Sequence, residues 1–349
     1  MKKELKTFTL ILIFLFSVIP TISNLGNTIA KTEEETFEPW QFIALGDGRN
    51  SEENSTNEVR RKVIESVVEN NPNLEFILHS GDMVQSGGEQ DDWDRYYEDI
   101  DIAIQNDIQF YYAVGNHETY TYRLPDDSYG PPDSDFSTYM DNVEMPGNER
   151  YYSFDFNQIH FIVINTEEYW DTRDYEFEIT PEQESWIIND LEANKKKFVV
   201  AMYHRPSYSV RSQGRVEDAY EIRKVLEPIF TEYGVDLCFS GHDHYYYHTE
   251  RNGITYVVTG GAGAPLYVPE MTSYAIEGDV YFAKYHYMNV TVTNDNIKLE
   301  CISFYNDIVT TKIEETFEIK IKKASYEFVI PTIIGLIVIV YWRKKQSKK

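Results

Sequence analysis

Five short stretches of the chain carry side chains suited to holding metal ions. They are Asp47 in Gly46-Asp47-Gly48-Arg49, Asp82 after Gly81, and Asn116-His117-Glu118 after Gly115. The last two are His204 in His204-Arg205-Pro206, and His242 and His244 in Gly241-His242-Asp243-His244. Carboxylates, an amide oxygen and imidazoles suit Mn, Fe or Zn and exclude a thiolate site. A carboxylate between two ions can bridge them. Two ions about 3.5–4 Å apart hold an activated hydroxide and a phosphoryl oxygen together. Taken singly, a Gly-Asp or Asn-His pair is an ordinary turn, and Gly-His-x-His is only partly specific. The order of all five stretches, and what precedes each, carries the signal.

Each stretch follows an apolar run that reads as a strand, at 41–45, 76–79, 110–114, 198–204 and 237–240. Four of the five place Gly just before the first donor, which permits a sharp turn. Helical patterns fall between the runs. One covers 56–70, with Val59, Val63, Ile64, Val67 and Val68 on one face. Others cover 92–104, 181–194 and about 218–233, the second of these three with Thr180 as N-cap and Pro181 at its first position. This rhythm predicts a largely parallel central sheet covered by helices. Strand C-termini in such a sheet share one edge, where sites form. Runs at 151–156 and 160–165 read as a hairpin around Asn157-Gln158. Further strands are expected at 280–292, 297–304 and 313–321, and polar loops at 50–57 and 121–141.

The chain has 349 residues, 42% hydrophobic and with 28 Tyr, which is ample for a packed core and excludes disordered classes. Its 58 Asp+Glu against 32 Lys+Arg give a net charge of −26, so a nucleic-acid polymer is not an expected partner. Two Cys exclude a disulfide scaffold; Cys238 and Cys301 lie in apolar stretches and read either as a disulfide or as buried thiols. No Gly-x-Ser-x-Gly elbow of a serine hydrolase occurs. Both ends are basic and apolar, so the stretch between them is more acidic than the whole. Residues 1–30 have the three-part layout of a signal peptide. Residues 327–342 read as a transmembrane or surface-sorting segment, with Tyr341 and Trp342 at its edge and a basic tail at 343–349. The expectation is an exported, cell-surface protein anchored in the membrane by that single C-terminal pass, its body outside.

The ordered set, from about Phe37 to Ile321, resembles the calcineurin-like metallophosphoesterases, especially the branch near the purple acid phosphatases. The resemblance implies an α/β fold in four layers, α/β/β/α, with two mixed sheets in a domain at 37–322. Carried over position by position, it implies two divalent or trivalent ions bridged by Asp82. Asp47 and His244 would hold the first, and Asn116, His204 and His242 the second. His117 would face the substrate as a catalytic group, with Glu118 orienting it or a neighbouring backbone group, while a metal-held hydroxide attacks phosphorus in line. The later stretch from Tyr256 to Gly263 resembles the Gly-rich strand end of those enzymes.

Two departures stand out. Where many members have His two residues after the first Asp, this chain has Arg49, which cannot ligate a cation. Where the purple acid phosphatases have Tyr three residues after the second Asp, it has Gln85, which removes the basis for a purple iron site. Arg49 reads as a bidentate clamp on substrate phosphate or as a salt-bridge partner of a nearby acid. The implied function is hydrolysis of small phosphate esters, monoesters favoured. The alternatives are a phosphodiesterase or nucleotide hydrolase on the same site, and a non-catalytic surface binding module with a weakened first metal site.

Overall fold

Apolar runs flanked by capped helices fold here into two β-sheets that face each other. The structure is a computed structural model that describes residues 37–49, 57–121, 136–169, 177–305 and 308–321. In chain order, the first part holds β1 (Trp40–Leu45), α1 (Glu58–Asn70), β2 (Leu74–His79), α2 (Gln90–Asp99), α3 (Asp101–Gln105), β3 (Gln109–Tyr112) and α4 (Ser137–Met140). The middle holds β4 (Tyr152–Phe156), β5 (Ile159–Ile164), β6 (Glu168–Tyr169), β7 (Phe177–Glu178), α5 (Pro181–Ala193), β8 (Phe198–Tyr203), α6 (Gln213–Tyr233) and β9 (Leu237–Ser240). The last part holds β10 (Tyr246–Arg251), β11 (Ile254–Thr259), β12 (Val280–Phe282), β13 (His286–Val292), β14 (Asn296–Phe304) and β15 (Thr311–Lys320).

Among the described residues, one sheet runs β15-β14-β13-β1-β2-β3 and the other β12-β10-β11-β9-β8-β5-β4, with β6 and β7 paired apart. Strands β1, β2 and β3 are mutually parallel, as are β5, β8, β9 and β11. The other pairings in both large sheets are antiparallel, so each is mixed.

Aromatic side chains fill the space between the sheets. Phe42 and Phe76 stack at 5.5 Å on one sheet, and both meet Phe161 of the other edge-on at 5.4 Å. Edge-to-face contacts of this kind add to the area they bury. On the far side of the second sheet, Ile187 and Leu191 of α5 and Leu226 and Phe230 of α6 pack on Ile162, Ala201 and Cys238. Helix α1 buries Val63, Ile64 and Val67, and its Ser66 hydroxyl reaches Tyr287 of β13. Its cap is Asn57, which accepts from the Arg60 N–H; Thr180 caps α5 in the same way, from Gln183.

The structure alters several expectations. The helix expected at 92–104 breaks at Ile100 into α2 and α3. The strand expected at 280–292 divides because β12 joins one sheet and β13 the other. Strand β10 and its hairpin with β11, turning at Asn252-Gly253 with both residues at positive φ, were not among the expected elements, whereas β11 covers the strand end expected from Tyr256. Cys238 and Cys301 are free, buried thiols.

The anchored, cell-surface placement is corrected. Among the described residues, no helix is long and apolar enough to cross a membrane. The signal-peptide and anchor segments expected at 1–30 and 327–342, and the tail at 343–349, lie outside the described residues, so that placement has no structural basis. The loops expected at 50–57 and 121–141 lie partly outside them as well.

His160 of β5 ties β4 to α5, with Nδ1 2.8 Å from Asp155 and Nε2 2.7 Å from Asp190. Burial lowers its pKa, but the bonds to Asp190 and Asp155 outweigh burial and raise it overall. A raised folded-state value stabilises fully below the unfolded pKa of about 6.5 and is lost as pH rises through the folded value. His160→Gln should therefore lower the melting temperature more at pH 6 than at pH 9. An equal loss at both would refute this account of His160.

Candidate metal centre

The parallel pairings bring the C-terminal ends of β1, β2 and β3 side by side, and likewise those of β8 and β9. The predicted donors sit on the turns that leave these ends. Three of those turns use the left-handed region at a non-glycine residue: Asp47 at φ 59°, Asp82 at φ 56° and His242 at φ 69°. Such backbone persists only where its surroundings hold it. Here the Asp47 N–H donates to Gly81 O at 3.0 Å, and Arg49 N–H to Asp82 O at 2.9 Å. The His242 N–H donates to both Asp47 oxygens, at 2.9 and 3.0 Å. Gly241 is required at its place, since a Cβ there would run into the Asp47 carboxylate.

Two buried groups result. Asp82, His204 and His242 form one, and Asp47, Asp82 and His244 the other; within each, the ligand atoms lie within 4.8 Å of one another. Asp82 belongs to both. His204 Nε2 lies 3.3 Å from Asp82 Oδ1, and His244 Nε2 lies 3.4 Å from Asp47 Oδ1. Asn116 Oδ1 stands 3.1 Å from His204 Nε2, and His242 Nδ1 3.2 Å from the same atom. Ligands at 2.0–2.2 Å around a tetrahedral ion stand about 3.4 Å apart, so the spacing fits. Second contacts orient the rings: His204 Nδ1 donates to Ser80 O at 2.8 Å and His244 Nδ1 to Pro265 O at 2.7 Å, which turns each Nε2 toward the group. The donor set fits a pair of transition-metal ions.

Burial opposes ionisation of Asp82, but His204, His117 and Arg49 outweigh it and hold its pKa below the usual carboxylate range. Asp82 Oδ1 also accepts the His117 N–H at 3.0 Å. Glu118 serves the backbone beside His117. It accepts four backbone N–H groups, from Asp82, Met83, Val84 and Gly115, at 2.8–3.2 Å. Burial first and the Asp82 charge next push its pKa up to about 7 against the pull of those donors. His117 Nδ1 donates to Gln85 O at 2.7 Å, and its Nε2 lies 3.9 Å from Asp82 Oδ2. Burial, then Arg49, push its pKa down to about 3. The two departures from the family pattern are bonded to each other, Arg49 Nη1 donating to Gln85 Oε1 at 2.7 Å. Arg49 Nε is 3.7 Å from Asp82 Oδ2.

The family model for calcineurin-like phosphoesterases matches residues 52–246, more than half of the chain. The chain belongs to the calcineurin-like phosphoesterase family. Among curated relatives it is similar to "Probable inactive purple acid phosphatase 9" of Arabidopsis thaliana, at 27% identity over 49% of this chain and 29% of the relative. It is also similar to "Acid phosphatase type 7" of Mus musculus, at 27% identity over 54% of this chain and 48% of the relative. The chain thus spans less than half the length of these two. Among solved structures, the purple acid phosphatase PPD1 from yellow lupin (Lupinus luteus) seeds superposes with a TM-score of 0.65 at 20% identity, over 81% of this chain and 54% of that one, a likeness of fold.

Every predicted donor of the calcineurin-like pattern is thus brought to one place, together with His117 and Arg49. His79 is buried and belongs to neither ligand group. Of the tyrosines after the last motif, Tyr245, Tyr246 and Tyr247 are buried, with hydroxyls bonded to Asp243, Glu315 and Asp279, so they pack rather than line a cleft. Sequence reasoning missed Tyr267, stacked on His244 at 4.0 Å, and Arg205, bonded to Glu167 and His242. Only the place of Arg205 directly after His204 pointed to it. Glu118→Gln removes one oxygen acceptor from a buried set of four donors and should cost about 1–3 kcal/mol in denaturant unfolding. A change below about 0.5 kcal/mol would refute the bracing role.

Proposed function

We propose that the protein is a metal-dependent phosphoesterase, its domain at 37–322, that hydrolyses small phosphate esters and prefers monoesters. The observation that carries this reading is the sharing of Asp82 by two buried ligand groups. Asp47, Asp82 and His244 would hold one ion, and Asp82, Asn116, His204 and His242 the other, drawn from Mn, Fe or Zn. Bound there, such ions would polarise a phosphoryl oxygen and bring the pKa of water near neutrality.

The remaining work falls to the chain itself. Hydrolysis adds water to phosphorus as the ester oxygen leaves, and that oxygen needs a proton. His117 is our candidate for the transfer. Its Nδ1–H is bonded to Gln85 O, which makes Nε2 the basic nitrogen of the ring. The ring is neutral in the resting protein, and a phosphate dianion beside it would raise its affinity for a proton. Arg49, steadied by Gln85, would hold a phosphate oxygen. The net charge of −26 favours small substrates over polyanions.

A second reading, a binding module without efficient turnover, draws on one feature. Asp47, Asp82 and His244 are three ligands, and Arg49 stands where many members of the family have a fourth. Turnover of a chromogenic monoester and diester with Mn, Fe, Zn and Mg separates the two. We expect a monoesterase whose kcat falls about 100-fold or more in Asp82→Ala and in His117→Ala. No turnover with any metal, or turnover indifferent to both substitutions, would favour the binding module. Arg49→Ala should raise KM for the monoester about tenfold, the scale of one charge-assisted hydrogen bond. An unchanged KM would assign Arg49 to holding Asp82 and Gln85 in place and not to the substrate.

A further inference from the structure

Arg205 lies beside the metal centre with its side chain 11% exposed. One edge of its guanidinium is fixed: Nε lies 2.9 Å from Glu167 Oε1, and Nη2 donates to Glu167 Oε2 at 3.0 Å. Glu167 is fully buried. The other edge reaches the centre, with Nη1 3.0 Å from His242 Nε2 and 3.7 Å from Asp218.

A guanidinium only donates, so His242 Nε2 is the acceptor. The proton of the neutral ring is then on Nδ1, the nitrogen that faces His204 Nε2 at 3.2 Å. An Nδ1 that carries a proton has no lone pair for a cation. Once Nδ1 holds an ion, the ring proton belongs on Nε2, and an N–H there meets the N–H of Arg205. Two donors then oppose each other, and a fixed positive charge stands beside a cation. Ligating histidines ordinarily turn the outer N–H onto a carboxylate or carbonyl. His204 and His244 do so, and His242 does not.

We propose that Arg205 couples cation and anion binding at this centre: a cation on His242 displaces Nη1 from Nε2, and an oxygen of a tetrahedral oxyanion then accepts from Nη1. Glu167 keeps the opposite edge in place, and the anion offsets the two neighbouring positive charges. The inference rests on the metal-centre reading above. Coupling of this kind is reciprocal, so cation and anion raise each other's affinity by the same factor. The opposed donors and the neighbouring charge make Arg205 weaken cation binding when the anion is absent.

The test is calorimetric titration of the full chain with Mn²⁺ in chloride and in inorganic phosphate, compared at equal free Mn²⁺. Phosphate should tighten Mn²⁺ binding to the wild type about tenfold. Arg205→Gln should bind Mn²⁺ more tightly than wild type in chloride and lose most of the gain from phosphate. Weaker binding in chloride, or an undiminished gain from phosphate, would overturn the proposal. Should that variant not fold because Glu167 is left buried and unpaired, the double substitution Arg205→Gln with Glu167→Gln carries the same comparison. Asp82→Asn is the control. If it bound Mn²⁺ as wild type does, the metal-centre reading itself would fail; if it lost Mn²⁺ while Arg205→Gln behaved as wild type, only the coupling would fail.

Discussion

A carboxylate withdrawn from water is stable only where charges and donors compensate it, and Asp82 sets that constraint for this molecule. It is 2% exposed and leaves the end of β2. The compensation comes from both sheets. His117, on the loop after β3, supplies a backbone N–H, and Arg49, after β1, supplies a guanidinium. His204, after β8 of the facing sheet, brings its Nε2 to 3.3 Å. The aromatic packing between the sheets sets the distance over which these loops meet. Removing either sheet's contribution would leave a buried charge without its partners.

The helices belong to the same arrangement. Arg60 of α1 is buried and donates to Gly48 O at 3.0 Å and Met83 O at 2.7 Å, one carbonyl on each of the loops after β1 and β2. It also donates to Asp99 at the end of α2 through Nε and Nη2. Asn57, the cap of α1, donates to Gly48 O and Arg49 O as well. The start of one helix therefore braces the two turns that present Asp47 and Asp82. Glu118 performs the same task between β2 and β3 through four backbone N–H groups. The strained φ values of the donors are held by this bracing and not by the donors' own propensities.

How much of this the sequence discloses follows from what each feature depends on. That the candidate donors meet at one edge was legible, because their place is in the strand–Gly–donor pattern. The cap at Thr180 depends on neighbours within a turn, and that helix start followed; the cap at Asn57 was not among the expectations, and the helix expected from 56 starts at Glu58. The split of 280–292 was not legible, because the apolar pattern continues while the chain changes sheets. The pairing of Arg205 with Glu167 spans remote segments, and no local pattern encodes it. Arg49 and Gln85 were each visible as a departure; that they are hydrogen-bonded to one another required the fold.

Anomalous diffraction from crystals grown with Mn²⁺, or with Zn²⁺, tests the central claim most directly. The account predicts two anomalous peaks about 3.5–4 Å apart, one on either side of the Asp82 carboxylate. One would lie against Asp47 and His244, the other against Asn116, His204 and His242. A single peak, or two that do not share Asp82, would contradict it.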